Sequence, residues 1–123
     1  MILKQVKEIL EAEVIIGSDK LKMEVKIGCA ADSMSDILAF AKPGALLLTG
    51  LTNPQVVYTS EISDIKAICF VRGKKPDEKA IKLAKSKNLP MLMTHLPMFE
   101  SCGRLYANGL IGIGYLDIEK KNG

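Results

Sequence analysis

Three short loops hold most of the chemistry available to this chain: "TGLTNP" with Thr49, Gly50, Thr52 and Asn53, "RGKKP" with Arg72, Lys74 and Lys75, and "THLP" with Thr94 and His95. Each follows an apolar run and precedes a helical pattern. Hydroxyls, an amide, cations and a close-approach glycine in such places suit a carboxylate or phosphate. The free N–H groups at a helix start favour negative charge, Thr52 or Asn53 can cap the helix that Pro54 begins, and Gly50 admits a ligand close to the backbone. The same residues also suit plain turns and helix starts. "TGLTNP" lacks the G-x-x-x-x-G-K-[ST] spacing of a nucleotide P-loop.

Catalytic equipment is sparse. His95 is the only histidine, and general-base work requires an orienting partner that no neighbouring residue supplies. The chain has no H-E-x-x-H, G-x-S-x-G or G-x-G-x-x-G motif. An enzyme acting on phosphorylated metabolites through His95 and Lys75 would lack an identified nucleophile, base and metal set. Asp32/Asp36 and Asp77/Glu78 stand at expected helix starts, where acidic residues offset the macrodipole. Cys29, Cys69 and Cys102 are widely separated and form no C-x-x-C pair, so they read as small buried hydrophobes rather than a zinc or disulfide framework. No catalytic residue, metal ligand or cofactor is assigned.

The elements that must position these loops follow from hydrophobic spacing. Residues 2–12 put Ile2, Val6, Ile9 and Leu10 on one helical face. "EVIIG" reads as a strand, and "KMEVKIGCA" as a second, its Met23, Val25 and Ile27 alternating with Glu24 and Lys26. "DSMSDILAFAKPG" reads as a helix, with a capping-box-like start at Ser33 and Asp36 and a stop at Lys42-Pro43-Gly44. The apolar runs "ALLLTG", "KAICFVRG" and "LPMLMTH" then alternate with the helical stretches "NPQVVYTSEIS", "PDEKAIKLAKSKN" and "PMFESCGRLYANG". In the last of these, Phe99, Cys102 and Leu105 or Tyr106 share a face. Unalternating runs suit strands covered on both faces, and consecutive βα units imply right-handed crossovers. The expected fold is α/β: one domain over 1–123 with a mainly parallel sheet, helices packed on it, and an N-terminal helix and strands that make the sheet mixed. Its three loops would then share the carboxyl edge of the sheet, where ligands bind.

The 123 residues are 48% hydrophobic and 25% charged, with a net charge of +3, as in a globular domain able to bury one core. Dispersed lysines and few aromatic residues give no nucleic-acid-binding stripe. The charged N-terminus fits neither a signal peptide nor a membrane span, which points to the cytoplasm.

Residues 43–105 carry a resemblance. "PGALLLTGLTNPQVV", "AICFVRGKKPDEKAIKLAKSKNLPMLMT" and "MFESCGRL" resemble the DRTGG domain, a regulatory module attached to phosphotransacetylases and CBS-domain proteins. They are also similar, more distantly, to the N-terminal domain of HPr kinase/phosphorylase. The chain departs from the family pattern where Leu51-Thr52 follow Gly50 in place of Asp-Arg, and where Met98 stands before Phe99 in place of Thr. The resemblance implies a non-catalytic module that pairs with a copy of itself, modulates a partner protein, or senses a small molecule such as a nucleotide or another anion. The apolar tail from 110 onward, with Leu110, Ile111, Ile113, Tyr115, Leu116 and Ile118, is expected to add an edge strand or to lie in a subunit interface.

Overall fold

A computed structural model describes residues 1–114 of the chain. Tyr115, Leu116 and Ile118 lie outside the described residues. In chain order the elements are α1 (Leu3–Ile9), β1 (Glu13–Ile16), a 3-10 turn (Ser18–Lys20), β2 (Ile27–Ala30), α2 (Met34–Phe40) and β3 (Ala45–Thr49). They continue with α3 (Pro54–Ile62), β4 (Ala67–Phe70), α4 (Glu78–Ser86), β5 (Met91–Met93), α5 (Met98–Ala107) and β6 (Ile111–Gly112).

The strands form one sheet in the order β1-β5-β4-β3-β2-β6. Neighbours from β6 through β5 run parallel, while β1 pairs antiparallel with β5, Glu13 facing Met93 and Val14 facing Leu92. This is the single, mixed, mainly parallel α/β domain that the βα rhythm implies.

The period of two along each strand divides the core. Leu47, Ile68, Phe70, Met91 and Met93 meet Ile37 of α2, Val56 and Val57 of α3, and Ala80 and Ala84 of α4 on one face. Leu46, Leu48, Ala67, Cys69 and Leu92 meet Leu3 and Val6 of α1, Leu10, and Leu105 of α5 on the other. Covering both faces removes the need for a polar alternation, and all five residues of β3 are buried. Burial of each leucine of β3 contributes roughly 1.5–3 kcal/mol.

Several local expectations are corrected. "KMEVKIGCA" is not one half-wet strand, because only Ile27–Ala30 joins the sheet. Val25 packs in one core and Ile27 in the other, so the chain turns over between them and the apparent alternation spans both faces. The buried stripe of α1 is Leu3, Val6 and Leu10; Ile2 is its N-cap, and Ile9 is half-buried. Ser33 does cap α2 by position, but its hydroxyl shares a hydrogen bond with Ser35 Oγ at 2.8 Å, and no side-chain capping bond forms. On α5, Ser101 and Leu105 face inward, whereas Phe99 and Tyr106 are 84% and 73% exposed.

The described part of the tail serves the protein's own sheet. Leu110 is buried under the second core, and Ile111 and Gly112 pair with Ile27 and Gly28. A side chain at Gly28 would come within 3.1 Å of Leu110 Cδ2, so the glycine permits that close packing.

Candidate functional site: the carboxyl edge of the sheet

Parallel β2, β3, β4 and β5 release their chains at the same edge, and backbone hydrogen bonds bind the exits together. The amide of Ala31 donates to the Leu48 carbonyl, and that of Val71 to the Thr49 carbonyl. Beyond the strands, Arg72 N donates to Leu96 O and Gly73 N to Thr94 O, each at 2.9 Å. Asp77 N donates to Thr52 O, also at 2.9 Å. The loops after β3, β4 and β5 are thus one connected rim.

Two strand exits use the same device. Thr49 Oγ1 accepts from Leu51 N at 3.1 Å, and Thr94 Oγ1 accepts from Leu96 N at 3.2 Å, each a Ser/Thr-type turn in which the hydroxyl takes the amide two residues on. Both threonines are buried. Thr94 also donates to the Leu10 carbonyl at 2.6 Å, supplying a donor to the carboxyl end of α1, where carbonyls have no intrahelical partner. Thr49 and Thr94 therefore lie beneath the rim and shape it from below.

Above them stand the half-buried Gly50, Thr52 and Asn53 and the exposed Arg72 and His95. Asn53 is the N-cap of α3, its side chain accepting from Val56 N at 3.2 Å, with Pro54 in the first turn. Arg72 and Gly73 both take left-handed backbone conformations, with φ of 59° and 68°. Gly73 also leaves room for His95, whose Nδ1 would lie 2.9 Å from a β-carbon placed there. Lys75 is exposed and lines a separate cavity of about 410 Å³ with Glu13, Ile15, Pro76, Glu78 and Met93. None of Gly50, Thr52, Arg72 or His95 borders that cavity.

The centre of the rim is Gly50. Its N–H donates to Asp32 Oδ1 at 2.6 Å, and Asp32 Oδ2 lies 3.4 Å from Arg72 Nη1. A side chain on Gly50 would collide with the Arg72 guanidinium. A backbone amide and a guanidinium therefore converge on one carboxylate, in a pair whose side chains are 41% and 46% exposed. Asp32, expected to offset the dipole of α2, instead belongs to this rim. Sequence reasoning missed it because β2 was not placed beside β3, and the signal that identifies it is its position just past that fourth parallel strand.

The thiols lie elsewhere. Burial pushes Cys69 up to about 12, and burial is also the main cause that raises Cys29 and Cys102. Among the described residues, no group of three or more His, Cys, Asp or Glu residues is placed to hold a metal ion.

The family model described as the DRTGG domain matches residues 5–107. The chain belongs to the DRTGG domain family. That match extends well beyond the best-resembling stretch of the sequence and takes in α1, β1, β2 and α2 as well. This DRTGG domain brings Asp32 and Arg72 to Gly50 from two other strand exits.

The fold is shared with the crystal structure of the CBS and DRTGG domains of the regulatory region of Clostridium perfringens pyrophosphatase, complexed with its activator diadenosine tetraphosphate. The TM-score is 0.62 at 16% identity, covering 81% of this chain and 44% of that one. This DRTGG domain thus spans under half the length of that regulatory region. Among curated proteins nothing matches the chain. No helix of the described residues is long and apolar enough to cross a membrane.

Proposed function

We propose that this DRTGG domain is a non-catalytic regulatory module of the cytoplasm whose strand-end rim recognises an anionic small molecule, foremost the phosphate of a nucleotide. The observation that carries this reading is the convergence of the Gly50 amide and the Arg72 guanidinium on one oxyanion position. Thr52 and Asn53 follow Gly50 in the same loop, His95 packs against Gly73 beside Arg72, and Lys75 adds positive charge further along the loop after β4. The similarity in fold to a regulatory region bound to a dinucleotide activator supports the nucleotide class.

Thermal denaturation in the presence of AMP, ATP, acetyl phosphate and inorganic pyrophosphate tests it. A ligand selective for the folded state stabilises by about 2.7 kcal/mol at a hundredfold excess over Kd, and the gain grows with the logarithm of concentration. Arg72→Ala is expected to remove the response, and Lys75→Ala to reduce it by less. A flat response across the panel refutes the reading.

Exposed apolar side chains favour a second reading, a homodimer or a complex with a protein partner. Ile62 on α3 is 78% exposed, and Phe99 and Tyr106 project from α5. The tail adds less to this reading than its composition suggests, since Leu110 and Ile111 pack within the domain. Sedimentation showing only monomer at micromolar concentration counts against the dimer.

A further inference from the structure

The contact at Gly50 has the wrong sign for an open anion site, because a carboxylate already occupies it. Asp32 Oδ1 accepts the Gly50 N–H at 2.6 Å, while Oδ2 faces Arg72 Nη1 at 3.4 Å. These are the two interactions a phosphate oxygen would seek, a backbone donor and a guanidinium. Asp32 reaches them from the exit of β2, in a loop whose amide at Ala31 is pinned to Leu48 O. Its side chain is half exposed and rotatable, so it can leave without disturbing the sheet.

We infer that Asp32 is an internal pseudo-ligand: its carboxylate fills the anion position between Gly50 and Arg72 and must be displaced when a phosphate binds. The inference rests on the reading of the rim as an anion site. Ligand affinity is then the intrinsic affinity multiplied by the fraction of molecules in which Asp32 has swung away. A short charge-assisted bond at a partly exposed site holds that fraction on the order of one tenth. Such competition makes the site selective. An anion must offer more charge than a single carboxylate, which favours pyrophosphate-like groups over monoanions.

The test measures binding of inorganic pyrophosphate, in EDTA, to wild type, Asp32→Asn, Asp36→Asn and Arg72→Ala. Asp36 is an exposed residue in the first turn of α2, so its variant removes the same charge from the same region. Asp32→Asn is expected to bind on the order of tenfold more tightly, Asp36→Asn to change little, and Arg72→Ala to lose binding. Equal gains in both Asn variants overturn the inference in favour of diffuse repulsion. Weaker binding by Asp32→Asn overturns it by making Asp32 part of the ligand's own binding set.

A measurement on wild type guards against a variant that folds poorly. Pyrophosphate must shift both the Gly50 amide and the Asp32 carboxyl carbon in NMR spectra. A Gly50 shift with an unmoved Asp32 carboxyl defeats the pseudo-ligand while leaving the anion site intact. If neither wild type nor Asp32→Asn binds pyrophosphate, the anion reading and the inference fall together.

Discussion

Thr94 separates a residue that builds the rim from one that would touch a ligand, and Thr94→Val makes the separation measurable. Valine preserves shape and deletes the hydroxyl. The Leu10 carbonyl then loses its 2.6 Å donor at a fully buried residue, and the Leu96 amide loses its 3.2 Å acceptor at a half-buried one. An unsatisfied buried group costs about 1–3 kcal/mol, and the amide, close to water, costs less. The expected loss is about 2 kcal/mol. With a urea slope of about 1.5 kcal/mol per molar, the midpoint falls by about 1.3 M. Thr94→Ser keeps the hydroxyl and deletes one methyl, at about 0.8 kcal/mol, so serine is the milder change. Equilibrium urea melts followed by far-UV circular dichroism give both numbers, and the pyrophosphate response of each folded variant is recorded beside them. A Thr94→Val protein within about 0.5 kcal/mol of wild type refutes the structural assignment. So does one with unchanged stability that no longer responds to pyrophosphate.

Two further outcomes follow from backbone conformation and burial. Gly73→Ala places a β-carbon at φ +68° and against His95, so urea melts are expected to show a loss of about 1–2 kcal/mol. Gly103→Ala, inside α5 with nothing within 4 Å of the added carbon, is expected to gain about 0.5–1 kcal/mol. The same chemical change thus has opposite signs at the two sites, and equal signs would contradict this account. For Cys69, burial raises the folded thiol to about 12, against an ordinary value of 9.0. The folded state therefore holds a proton that the unfolded chain releases above pH 9. Its stabilising contribution is complete below that value and is lost as pH rises toward about 12, at about 1.4 kcal/mol per pH unit. Stability measured from pH 8.5 to 10.5 should fall less steeply in Cys69→Ala than in wild type, whatever the absolute cost of the cavity. Parallel slopes would contradict the burial argument.

The central βα units were readable because covered parallel strands leave an unmistakable pattern. "ALLL", "AICF" and "MLM" are apolar without interruption, and all of their residues are buried. Pro54 marked a helix start that the structure keeps, and α5 ends at Asn108 and Gly109, the latter with φ of 102°. The N-terminal third was less legible, because neighbours in sequence there serve opposite faces of the sheet. Val25 and Ile27 look like one face of a strand, yet they pack in separate cores. Glu24 meets only an isolated bridge to Ile2. A period of two identifies a strand only while the chain stays extended, and sequence alone does not reveal where it turns over. Phe99 and Tyr106 misled for a related reason. Their spacing with Cys102 and Leu105 suggested one shared face, but it is Ser101 and Leu105 that α5 turns inward.

The same blind spot accounts for the carboxylate at the rim. Residue types placed Thr49, Gly50, Thr52, Asn53, Arg72, Lys75, Thr94 and His95 on one edge, since each follows a strand that could be recognised by itself. Types alone could not tell that Thr49 and Thr94 lie beneath the surface, because a buried hydroxyl and a ligand-facing one are the same letter. Nor could they show which strand lies next to which. Asp32 acquires its meaning only from the pairing of β2 with β3, in which Ala30 faces Leu48 and the exits of the two strands emerge side by side. From there an aspartate two residues past one strand reaches the glycine one residue past the other, 18 positions along the chain. Strand order, a property of long-range packing, thus converts an apparent helix-dipole residue into the partner of Gly50 and Arg72.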